Sequence, residues 1–81
     1  MSPARKLELQ ELLFVKKQLP DFGEAIEKVN REDGCKVYFA DGSWVICRFS
    51  GTEPLLRFAA EGNYQSQARS YIRIWRDELG L

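Results

Sequence analysis

The chain has 81 residues, 44% hydrophobic and 30% charged, with twelve basic side chains against twelve acidic ones and no histidine. That length allows one domain, residues 1–81, with a core near the lower limit of what folds alone, and the composition is that of a globular chain rather than a disordered one. Charge balance leaves no global field to attract nucleic acid or an anionic membrane, no apolar run approaches the roughly 20 residues of a membrane span, and the lack of histidine removes the commonest general base and metal ligand.

Ser2-Pro3 reads as a helix start, with serine as N-cap and proline at the first helical position. Residues 1–3 are also readable as additions ahead of the domain proper. The stretch from Ala4 to Leu19 is rich in helix formers, and Leu9, Leu12 and Leu13 form a stripe at helical spacing. Leu7, Phe14 and Val15 widen that stripe, either as more core or as cover for a partner surface. Leu19-Pro20 is expected to end the helix, because a residue before proline is pushed out of the helical region.

Glu24 to Arg31 suits either a short helix or a strand. The strand is preferred, because the next two segments need a sheet neighbour. Those segments, Cys35 to Ala40 and Ser43 to Phe49, are the clearest strands, joined by Asp41-Gly42 as a two-residue type I′ turn. That turn would set Phe39 opposite Trp44, Val37 opposite Ile46 and Cys35 opposite Arg48. Val37, Phe39, Trp44 and Ile46 would then form the core face, and Lys36, Tyr38, Val45 and Cys47 the mixed one. Cys35 and Cys47 would point to opposite faces, and reduced thiols in a cytoplasmic protein are expected. Leu55 to Glu61 reads as a fourth strand. Asn63 is expected to cap a last helix over Tyr64 to Leu79, whose face is Tyr64, Ala68, Tyr71, Ile72, Trp75 and Leu79, with Gly80 as its stop. The fold class is therefore α+β: a four-stranded antiparallel sheet with helices packed on one face.

Between the third and fourth strands lies RFSGTEPLLR, Arg48 to Arg57. Arg48 offers a planar fork of donors for phosphate or carboxylate, Ser50 and Thr52 add hydroxyls, and Gly51 lets backbone N–H groups approach an anion. The stretch is either such a clamp or an ordinary turn, since the same residues favour turns. Loops on a rigid sheet are where binding groups concentrate, and Arg57 at the same mouth would make a doubly positive patch, partly offset by Glu53. Arg57 has an alternative role in an ion pair with Glu61 or Glu53.

Other chemistries fail. No spacing pairs the carboxylates for acid–base work, and two cysteines without histidine cannot build a zinc site. No base lies near Ser50 in sequence, and no glycine-lysine pair or helix follows the loop as a P-loop requires. Tyr38 and Phe58 on a sheet allow an RNA platform, but the charge balance and the missing RNP pattern oppose it.

The run DGCKVYFADGSWVICRFSGTEPLLRFAAEG resembles the C-terminal domain of the α-D-phosphohexomutases, the phosphoglucomutase and phosphomannomutase superfamily. That family carries R-P-S-G-T-E-P after a D-G-S-W hairpin, followed by a leucine, an arginine and a strand ending in glutamate. Phe49 stands where the family usually has proline. The resemblance implies a TATA-box-binding-protein-like fold and a place as the fourth of four domains. It implies an enzyme that moves a phosphoryl group between C1 and C6 of a hexose phosphate, with its phosphoserine and magnesium in other domains. It gives Arg48, Ser50, Gly51 and Thr52 the task of holding the non-reacting phosphate, with Arg57 as a further candidate, and implies the other three domains as partners and no catalytic residue here. The D-G-S-W hairpin leans towards the glucose and mannose enzymes. The competing reading is a small α+β module for nucleic acid or protein interaction, using the mixed sheet face.

Overall fold

The computed structural model describes residues 2–17, 19–32, 34–50 and 55–81. Four strands follow one another as a meander: β1 (Ile26–Asn30), β2 (Cys35–Phe39), β3 (Trp44–Phe49) and β4 (Leu56–Glu61), each antiparallel to its sequence neighbour. The ambiguous segment is thus a strand, and β2 and β3 each gain a partner on both sides. Helices α1 (Pro3–Gln10) and α2 (Gln65–Glu78) cover one face of the sheet. This is the expected α+β architecture, and it is compatible with the fold that the resemblance implies. Among the described residues no helix is long and apolar enough to cross a membrane.

The hairpin between β2 and β3 differs from expectation by one residue. The Phe39 carbonyl accepts from Gly42 N–H at 3.1 Å, and Phe39 N–H donates to the Ser43 carbonyl at 2.9 Å. Gly42 alone in this turn has positive φ, at +90°. The connection is therefore a three-residue loop, Ala40 to Gly42, closed by a glycine bulge, and not a two-residue type I′ turn. Cys35 pairs with Cys47, Val37 with Val45 and Tyr38 with Trp44. A shift of one residue moves a whole strand's side chains to the other face. Val45 and Cys47 are consequently buried with Cys35, Val37 and Phe39, while Trp44 and Ile46 lie on the open face beside Lys36 and Tyr38. Cys35 and Cys47 are not on opposite faces, as the shorter turn required, but neighbours in the core. Both are free thiols, and burial pushes both thiol pKa values up.

Ser2 caps α1 as its sequence predicts, its Oγ accepting from Arg5 N–H at 3.1 Å. The helix does not run to Leu19. It widens into a π-helical turn over Glu11–Val15, and Lys17 then takes φ +54°, which stops it before the proline is reached. Leu9 and Leu13 are fully buried, but Leu7 and Val15 are 68% and 74% exposed, so the wide stripe is not all core. The connector that follows contributes Phe22, 5% exposed and packed edge-on against Phe39, Tyr71 and Trp75.

Tyr71, Trp75 and Leu79 of the last helical segment are buried as their spacing predicts, but Tyr64 is 63% exposed. Asn63 does not cap α2, because Tyr64 holds the cap position and Asn63 is engaged elsewhere. Its Nδ2 donates to Asp41 Oδ2 at 3.1 Å, beside Gln67 Nε2 at 2.8 Å. Asp41 Oδ1 accepts from Ser43 N–H at 2.9 Å and from the Ser43 hydroxyl, whose oxygen lies 2.9 Å from the Tyr71 hydroxyl. Asp41 thus ties the β2–β3 turn to the start of α2. The bonds from Ser43, with those from Gln67 and Asn63, hold its carboxyl below the usual carboxylate range.

Candidate functional site

At the end of the sheet away from Asp41, β3 finishes on Arg48 and Phe49. Alternation turns Phe49 to the core side, against Phe14 with ring centroids 6.4 Å apart, and leaves Arg48 exposed on the open face. The β3–β4 register sets Arg57 directly opposite Arg48. One rung beyond Phe49 and Leu56, Ser50 N–H donates to the Leu55 carbonyl at 2.8 Å. This bond pins both ends of the connecting loop. Gly51 and Thr52, the other two sequence-predicted anion ligands, lie outside the described residues, as do Glu53 and Pro54.

Two cations directly opposite each other repel across a ladder, and this pair puts two guanidinium groups at one end of the open face. An open cavity of about 460 Å³ lies over them, lined by Ile46, Arg48, Arg57, Phe58 and Ala59. Of the two ion-pair partners expected as an alternative role for Arg57, Glu61 forms no pair with it, and Glu53 lies outside the described residues. Glu61 Oε2 accepts instead from Trp44 Nε1 at 3.1 Å, one further use of the open face that the expected register concealed. Arg48 and Arg57 therefore share one mouth on the face opposite the helices, and Ser50 is anchored two residues beyond Arg48 by its backbone.

The remainder of that face is built from stacked cations and rings. Lys36 Nζ stands 4.3 Å from the Trp44 ring centre and 4.9 Å from that of Tyr38, and Lys28 Nζ stands 4.8 Å from Tyr38. Among the described residues no three histidine, cysteine, aspartate or glutamate side chains gather to hold a metal ion. One residue at the mouth escaped the sequence reading of the site. Gly34, with φ +95°, lies against the backbone at Arg48. The signal for it was Asp33-Gly34, which marks a turn but not what the turn rests on.

Comparison with known proteins gives the site its context. The family described as phosphoglucomutase/phosphomannomutase, C-terminal domain, matches residues 6–74. A phosphoglucomutase/phosphomannomutase of Thermococcus kodakarensis is 43% identical over 47 residues, covering 58% of this chain and 10% of the relative. A probable phosphoglucosamine mutase of Methanosphaera stadtmanae is 35% identical over 66 residues, covering 82% of this chain and 15% of the relative. Another, from Methanopyrus kandleri, is 44% identical over 56 residues, covering 69% and 11%. The chain thus spans a small fraction of the length of these relatives, whose names include both glucose or mannose and glucosamine enzymes. No solved structure matches the chain. With most of its length matched by the family, the chain belongs to the phosphoglucomutase/phosphomannomutase C-terminal domain family.

Proposed function

We propose that this chain is the substrate-phosphate-binding domain of a hexose-phosphate mutase that moves a phosphoryl group between C1 and C6 of the sugar. The observation that carries the proposal is the Arg48–Arg57 rung, two opposed cations facing an open cavity, with Arg48 the first residue of the RFSGTEP stretch. Arg48 supplies a bidentate donor to a phosphate dianion, and Ser50, Gly51 and Thr52 add hydroxyl and backbone donors from the loop. Arg57 is the second cation. The phosphate held here is the one that does not react.

Phosphoryl transfer depends on positioning and electrostatic stabilisation. Binding energy from a remote phosphate orients the sugar for the reacting centre, and a domain carrying that grip helps to exclude water as the cleft closes. In this reading the phosphoserine, the magnesium ion and the sugar-reading groups belong to the other three domains. A cytoplasmic setting, in which buried free thiols persist, goes with it. The purified 81-residue chain is accordingly expected to show no mutase turnover of glucose 1-phosphate, and measurable turnover would overturn that expectation.

NMR titration of the chain with inorganic phosphate and with glucose 1-phosphate tests the site. Amide shifts at Arg48, Ser50, Gly51 and Thr52 are expected. Shifts confined to other surfaces would overturn the assignment. Arg48→Ala is expected to weaken binding by roughly tenfold, as the loss of one charge-assisted contact implies. The competing nucleic-acid module is disfavoured by the cover that Lys36 and Lys28 give to the rings of Trp44 and Tyr38, which a base would have to displace.

A further inference from the structure

Gly34 precedes β2, and continuing the Cys35–Cys47 register by one rung places it opposite Arg48. A Cβ at position 34 would stand 2.6 Å from Arg48 Cβ, 2.8 Å from the Cys47 carbonyl oxygen and 3.1 Å from Arg48 Cα. The first two distances are shorter than contacts between non-bonded atoms allow, and their partners are backbone or the root of a side chain. Neither can give without moving β3. By contrast, a Cβ at Gly23 or Gly42 would meet nothing within 4 Å, although both also have positive φ.

We infer that Gly34 is a positioning residue for the anion site: its missing side chain is the space that sets where Arg48 Cα and Cβ sit, and so the direction in which the guanidinium leaves the sheet. This rests on the phosphate-binding reading of Arg48. A side chain at 34 pushes the 47–48 backbone outward and turns Arg48 away from Arg57. A bidentate grip depends on the alignment of its fork, so a small displacement costs affinity while leaving the charge present.

The test compares Gly34→Ala with Gly42→Ala. Both put an alanine at a positive φ of about the same size, +95° and +90°, but only the first opposes Arg48. Affinity for inorganic phosphate is measured by NMR titration, and stability by urea unfolding. Gly34→Ala is expected to bind roughly tenfold more weakly, with altered Arg48 Hε and backbone shifts before any ligand is added. Gly42→Ala is expected to lose stability and keep its affinity. Equal affinity in Gly34→Ala and the parent chain would overturn the inference while leaving the phosphate reading intact. If the parent chain itself fails to bind phosphate, both fall.

Should Gly34→Ala fail to fold, the double variant Gly34→Ala/Arg48→Gly decides. Removing the opposed Cβ takes away the closest contact but leaves the Cys47 carbonyl oxygen at 2.8 Å, so native ellipticity is expected to return in part. A double variant that recovers no more native ellipticity than Gly34→Ala, with Arg48→Gly alone folded, would overturn the inference.

Discussion

In the proposed phosphate site, Arg57 serves binding at the expense of stability. It faces Arg48 across the β3–β4 ladder, and among the described residues it forms no ion pair. Arg57→Gln is therefore expected to leave stability unchanged or raise it by about 0.5 kcal/mol in urea unfolding, while weakening phosphate binding. A substitution that lowered stability and spared binding would return Arg57 to a purely structural role. Asp41 is the converse case, a residue whose work is all in the fold. Its folded carboxyl titrates below the ordinary range, so its contribution is present above the unfolded value and is lost as pH falls through the depressed folded one. Asp41→Asn is expected to lower the urea midpoint at pH 7, and the difference should vanish in strong acid, where both side chains are neutral. That Arg48, Ser50 and Arg57 lie at one end of the sheet followed from their place around a loop joining two strands. The face that Arg48 takes did not, because the expected register put it with Trp44 and Ile46 on the core side. Asp41 was legible as a turn residue but not as a tie, because its partners Asn63 and Gln67 arrive after two further strands.

At the scale of elements, type and order were readable and ends and register were not. Asp41-Gly42 fits a two-residue turn and a three-residue one, and the choice depends on whether Asp41 takes positive φ. Its carboxylate bond to Ser43 N–H favours the negative-φ arrangement, and one residue of slip then exchanged Trp44 and Ile46 for Val45 and Cys47 in the core. The first helix shows a similar limit. Pro20 marked where it must have ended, whereas the π-helical turn and Lys17 ended it earlier. A lysine at φ +54° is costly for an L-residue, and glycine is not. Lys17→Gly is expected to raise stability by about 0.5–1 kcal/mol, measured as a higher urea midpoint at unchanged slope. A loss of similar size would mean that the lysine stem contributes packing worth more than the strain.

The molecule as a whole is held by one apolar layer between sheet and helices, and Trp75 is its largest fully buried side chain. Its ring stands 5.5 Å from that of Phe22 and 6.1 Å from that of Phe58, joining the connector, α2 and β4. Among the described residues its indole Nε1 has no hydrogen-bond partner, so the contribution seen is packing. Trp75→Ala is expected to cost about 3–5 kcal/mol, enough to unfold much of so small a domain, with the loss read from near-UV circular dichroism. Trp75→Phe keeps most of the volume and removes the unpartnered donor, and is expected to cost far less. Retained native ellipticity in Trp75→Ala would place the main packing elsewhere.

Each strand of the meander pairs with the strand just before or after it, and each pairing closes across a short connection. Chains whose contacts are local in sequence search less before native contacts reward them, and they fold faster than sheets with long crossovers. The β3–β4 hairpin that presents the two arginines is such a unit. The two arginines are thus brought opposite each other by a contact local in sequence, not by a long crossover.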